Sequence, residues 1–173
     1  FSQAPKVFVT GDISQILPEI TDFFARLDYT KTPDAPLRVI PMEPIHGGRT
    51  ETCDVDTEHQ AAIAISIPTI DRTHPDYIPL RLAVMALGGY FGSRLMTNIR
   101  EEKGYTYGIQ ANLLGYREGG VISVLTNTAP QYVEPVIAEV KREMLRLCDE
   151  PMGTEELSVV KNNAMTSLAA ILD

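Results

Sequence analysis

The stretch from Leu87 to Leu114, LGGYFGSRLMTNIREEKGYTYGIQANLL, constrains this chain more than any other, because its hydrophobic period changes twice within it. An apolar helical pattern runs out at Leu87. Gly88, Gly89 and Gly92 then interrupt it, since glycine costs helix stability and admits backbone angles closed to other residues. If any of these three holds a positive φ, a β-branched replacement there is destabilising. Ser93 is read as the cap of a short second helix and Gly104 as the residue that ends it. Leu95 and Ile99 form an apolar i,i+4 pair with Met96 beside them, and Arg100 falls at the rim, with a stem that can pack and a guanidinium that projects. After Gly104 the period becomes two, which places Tyr105, Tyr107, Ile109, Ala111 and Leu113 on one strand face. Arg100 and Tyr107 thus stand on either side of a helix-to-strand corner.

The remaining chain supplies the layers around this corner. Lys6–Thr10 (KVFVT) reads as a strand, followed by a Gly11–Asp12 turn, and Ile16, Ile20, Phe23, Phe24 and Leu27 have the spacing of a packed amphipathic helix capped at Ser14. Residues 28–58 are rich in proline and read as an extended connector, with a loosely alternating edge strand over Arg49–Asp56. His59–Pro68 reads as a strand with Ile63, Ile65 and Ile67 on its buried face. Tyr77–Leu87 reads as a helix behind Asp76, and Gly115–Gly120 as the hairpin connection to a returning strand over Val121–Thr126. Two helices close the order. Val133, Ile137, Val140, Met144 and Leu147 form the stripe of the first, and Thr154 caps the second, whose face is Leu157, Val160, Lys161, Ala164, Leu168 and Ile171. This order predicts one α+β domain over residues 1–173, a mixed but mainly antiparallel sheet covered on one face by helices. The absence of an initiator methionine before Phe1 and of a stop signal at Asp173 reads as a piece of a longer chain.

With 173 residues, 44% hydrophobic and 22% charged, the sequence is that of a globular domain with a substantial core. The net charge of −8 argues against nucleic acid or an anionic membrane as partner. Cys53 and Cys148 are too few for a disulfide framework and read as two buried thiols or a single bridge.

Metal and nucleophile chemistry find no pattern. His46, His59 and His74 have no second histidine four positions away and none lies on a periodic helix, so all three read as surface residues and no zinc site is expected. Ser93 lacks a nucleophile elbow, and Glu101 and Glu102 read as a solvated face. From spacing alone, Arg100 reads as an exposed arginine paired with a glutamate, and Tyr107 as a core residue.

One resemblance bears on that reading. The run G-G-x-x-x-S-R-L followed by R-E-x-K-G-x-x-Y, carried here by Gly88, Gly89, Ser93, Arg94, Leu95, Arg100, Glu101, Lys103, Gly104 and Tyr107, resembles the second-domain signature of the pitrilysin family of zinc metallopeptidases. The resemblance extends more weakly from Val7 to about Leu168. It implies a domain without zinc, which closes a peptide chamber against a zinc-binding domain in the same chain or on a partner subunit. It also implies that Arg100 and Tyr107 bind a substrate peptide carbonyl near that zinc, and that this chain alone is inactive. The alternative it leaves open is a non-catalytic structural subunit of a larger complex.

Overall fold

The computed structural model describes residues 7–27, 48–53 and 59–172. The chain divides into two compact units, Phe1–Val39 and Ile40–Asp173.

In the first unit, Gly11 has φ 105°, and the Asp12 carboxylate beside it accepts both the backbone N–H of Ser14 (3.2 Å) and its hydroxyl (2.8 Å). The first helix, α1, spans Leu17–Ala25. Ser14 is therefore occupied by the Asp12 turn and does not cap α1, whose first turn instead tolerates Pro18 in place of a donor. Two further expectations fail in this unit. Residues 7–10 form no strand, and Lys6 lies outside the described residues. No residue of the α1 stripe is fully buried: Ile20 and Phe24 are half-buried and Phe23 is 61% exposed.

The second unit carries the sheet. Strand β1 (Ala61–Thr69) and strand β2 (Thr106–Gly115) both pair antiparallel with strand β3 (Gly120–Thr128), giving the order β1-β3-β2. In register, Ile63 and Ile109 flank Thr126, Ile65 and Ala111 flank Val124, and Ile67 and Leu113 flank Ile122. This stack is the core face of the sheet. The opposite face, with Ala62, Ala64, Gln110, Asn112 and Leu125, is exposed. One apolar side and one wetted side is the expected pattern for an antiparallel sheet with helices on a single face. Residues 49–53, part of the stretch where an edge strand was expected, form none, and 54–56 of that stretch lie outside the described residues.

Helix α2 (Tyr77–Gly88) buries Val84, Ala86, Leu87 and Gly88. The short helix after the glycines has π geometry over Met96–Glu102. A single 3₁₀ turn (Pro130–Tyr132) leads into α3 (Val133–Asp149), and α4 spans Thr154–Leu172. The cap of α4 falls one residue before the expected Thr154, because the Leu157 N–H bonds to the Gly153 carbonyl (2.9 Å). Leu87, Leu95, Ile99, Ile109, Val124, Val136 and Val140 form the centre of the core. Cys53 and Cys148 are free and exposed, contrary to both readings of the pair. No described helix is long and apolar enough to cross a membrane.

Candidate functional site

The site is built by the way the chain leaves α2 and re-enters the sheet. At the end of α2 the Gly89 N–H closes on the Met85 carbonyl (2.8 Å), and Gly88 lies against β2 so closely that a Cβ there would sit 2.6 Å from the Ala111 nitrogen. Gly88, Gly89 and Gly92 all have negative φ. The break is thus a matter of space and not of a left-handed backbone. Ser93 precedes the helical residues and its carbonyl accepts from Thr97 N–H (2.9 Å), but its fully buried hydroxyl has no partner among the described residues and makes no cap.

The helix then widens. Lys103 N–H bonds to the Asn98 carbonyl five residues back (3.2 Å), and Tyr105 N–H reaches Ile99 (3.0 Å). Gly104, at φ 65°, ends the segment in the left-handed conformation that its position requires. Leu95 and Ile99 are wholly buried. Arg100 therefore emerges at the rim, where its guanidinium lies 4.5 Å from the centre of the Phe91 ring. Such a contact at an exposed site is worth about 0.5–1 kcal/mol. Arg100 has no ion-pair partner among the described residues.

Across the corner, β2 begins with a bulge. Thr106 pairs with Thr128 but Ile109 with Thr126, so one extra residue is inserted on β2. Two threonine hydroxyls hold the inserted backbone. The Gly108 N–H donates to Thr106 Oγ1 (3.1 Å), and Thr126 Oγ1 donates to the Gly108 carbonyl (2.8 Å). The bulge turns Tyr107 away from the core face, leaving it 93% exposed, whereas Tyr105 stays inside and stacks on Tyr132 at 4.7 Å. The single strand face expected from Tyr105 to Leu113 is thus broken at Tyr107. Neither half of the plainer reading, a paired Arg100 and a core Tyr107, describes the structure.

A cleft of about 340 Å³ is lined by Phe91, which Arg100 contacts, by Gly108, next to Tyr107 in the chain, and by Gly88, Met96, Ile109 and Gln110. Within it the Ile109 N–H donates to the Met96 sulfur (3.5 Å). A thioether is a weak acceptor.

Behind this surface, Arg94 makes a two-pronged pair with Glu156 of α4, Nε to Oε1 at 2.7 Å and Nη2 to Oε2 at 2.8 Å. The Arg94 hydrogen bonds hold the Glu156 carboxyl below the usual range, against an opposing effect of burial, and Glu156 raises Arg94 in turn. Tyr90 nearby is raised, mainly by burial. A carboxyl lowered by folding stabilises the fold above its unfolded value, near pH 4.3, and that stabilisation is lost as pH falls through the folded value. Glu156→Gln is expected to cost about 1–2 kcal/mol at pH 7 and progressively less in acid. Urea midpoints of both proteins at pH 7 and pH 3 check this, with convergence at the lower pH as the expected result.

Among the described residues no group of three His, Cys, Asp or Glu side chains is arranged to hold a metal ion. His59 and His74 are exposed, and His46 lies outside the described residues.

An antiparallel sheet covered on one face by helices, with a glycine break leading into an arginine-bearing corner, defines an α+β domain. The chain belongs to the peptidase M16 inactive domain family, whose model matches residues 3–164. It is 26% identical over 110 residues to an uncharacterized zinc protease of Streptomyces coelicolor, covering 64% of this chain and 24% of that protein. It is 28% identical over 88 residues to an uncharacterized zinc protease of Rickettsia bellii, covering 51% and 21%. Among solved structures, a peptidase M16 inactive domain from Pseudomonas fluorescens superposes with a TM-score of 0.60 at 27% identity, over 64% of this chain and 27% of that one. The chain thus spans about a quarter of the length of these relatives.

Proposed function

We propose that this chain is the second, non-zinc domain of a zinc metallopeptidase, that it closes a chamber over a peptide substrate, and that Arg100 and Tyr107 bind the peptide. The observation that carries the reading is the placement of two polar side chains on either side of one helix-to-strand corner. Arg100 is held over Phe91 without an ion-pair partner among the described residues, and Tyr107 is turned outward by a bulge. An arginine supplies fixed charged donors and a phenol a directional one, and both suit a carbonyl oxygen that gains negative charge during hydrolysis. The zinc and the base that activates water would belong to the partner domain, in the same chain or on another subunit.

Complementation tests this reading. The isolated chain is expected to show no peptide hydrolysis, and joining it to its zinc-binding domain is expected to produce it. A zinc-loaded assembly that cleaves no peptide would instead favour the non-catalytic structural subunit.

A further inference from the structure

We propose that Asn98 is the positioning residue for Arg100: its buried amide bridges two carboxylates of α3 and thereby fixes the direction in which the π-helix presents the guanidinium. This rests on the reading of Arg100 as a substrate-binding group.

Asn98 is 8% exposed, and every part of its amide is engaged. Its nitrogen donates to Glu139 Oε2 (3.1 Å) and to Glu143 Oε1 (2.6 Å), while its oxygen accepts from Lys103 Nζ (2.6 Å). The chemistry allows one orientation only, because a flipped amide would turn its oxygen toward two carboxylates and its nitrogen toward an ammonium. Glu139 and Glu143 are themselves buried, one turn apart on α3. Counter-charges reach this pair from its margins. Lys103 Nζ lies 3.5 Å from Glu139, Arg142 pairs with Glu139, and Arg146 Nη1 lies 3.7 Å from Glu143. The neutral double donor between the carboxylates is Asn98. Glu143 depends on it most, since its Oε2 already has no partner among the described residues.

The link to Arg100 is geometric. Consecutive helical residues point in different directions, so fixing two of them fixes the third. Asn98 is tied to α3, Ile99 is sealed in the core, and Arg100 comes next, at Phe91. The segment is also a π-helix, a rare geometry that often marks functional sites. Here Asn98 accepts the widened backbone bond from Lys103 and engages the Lys103 ammonium with its side chain.

The test uses the protein joined to its zinc domain, with two readouts: peptide hydrolysis and the Arg100 Nε–H resonance, assigned through Arg100→Ala and shifted by the Phe91 ring. Asn98→Asp adds a third carboxylate to the pair. It is expected to displace that resonance and to lower kcat/KM by about tenfold to a hundredfold, the usual cost of a misplaced contact. Asn98→Asp with Glu143→Gln exchanges the amide and the carboxylate at constant net charge, and is expected to restore both readouts. In an Arg100→Ala background, Asn98→Asp should change kcat/KM by less than about twofold, because the two residues act as one unit. Asn98→Ser gives the same comparisons should the third carboxylate prevent folding. An unmoved Arg100 resonance in the Asn98 variants, or an undiminished loss of activity in the Arg100→Ala background, overturns the proposal. Wild-type activity of Arg100→Ala alone would overturn the substrate-binding reading instead, and the resonance would still decide what Asn98 positions.

Discussion

Arg100→Ala and Tyr107→Phe, made in the protein joined to its zinc domain, are each expected to lower kcat/KM by about a hundredfold or more while leaving the fold and the zinc content intact. A donor aimed at charge that develops in a transition state is worth about 3–4 kcal/mol. Neither side chain has a comparable structural role. Tyr107 is almost wholly exposed and Arg100 contacts one exposed ring, a contact worth about 0.5–1 kcal/mol. A large kinetic effect with little change in melting temperature therefore separates substrate binding from surface packing. Both quantities are measured on the same samples, hydrolysis against thermal unfolding.

Gly88→Val is expected to have the largest effect on stability, about 2–3 kcal/mol, or a drop in melting temperature of roughly 5–10 °C. A Cβ at position 88 would lie 2.6 Å from the nitrogen and 2.7 Å from the Cβ of Ala111. Ala111 is buried on β2 and cannot move without taking its ladder with it. Gly92 is the internal control, because a Cβ there would meet only the edge of the Tyr90 ring, at 3.2 Å. Gly92→Ala should therefore change stability by less than about 0.5 kcal/mol. Calorimetry of the two variants checks the contrast. Equal melting temperatures would remove the close packing of α2 on β2 as the reason for the glycine break.

What the sequence shows clearly is what local periodicity encodes. The Ile63–Ile67 alternation, the apolar helix before Leu87, the hairpin at Gly115–Gly120 and the two closing helices all appear where their spacing places them. Gly104 ends its helix as expected. The departures have tertiary causes. The bulge that exposes Tyr107 is held by Thr106 and Thr126, twenty residues apart, and nothing in the alternation around Tyr107 announces it. The buried face of α3 includes Glu139 and Glu143 beside Val136 and Val140, although polarity assigns glutamates to solvent. Their partner, Asn98, lies more than forty residues away in the sequence. The Ser93 hydroxyl looks like a cap in isolation and is instead sealed in the core, where the packing of Leu95 and Ile99 sets the helix start. In α1 the stripe is present, but burial depends on what covers it and not on the stripe itself.

The central claim, that this corner binds the oxygen of the scissile carbonyl, is tested most directly with a phosphonamidate peptide, whose charged oxygens mimic that oxygen during hydrolysis. Its dissociation constant is measured by calorimetry for the zinc-loaded wild type, Arg100→Ala and Tyr107→Phe. The account predicts that both variants bind the mimic about a hundredfold more weakly, in step with their loss of kcat/KM, and bind the uncleaved substrate with much smaller losses. Undiminished affinity for the mimic in both variants, with zinc fully retained, would contradict it.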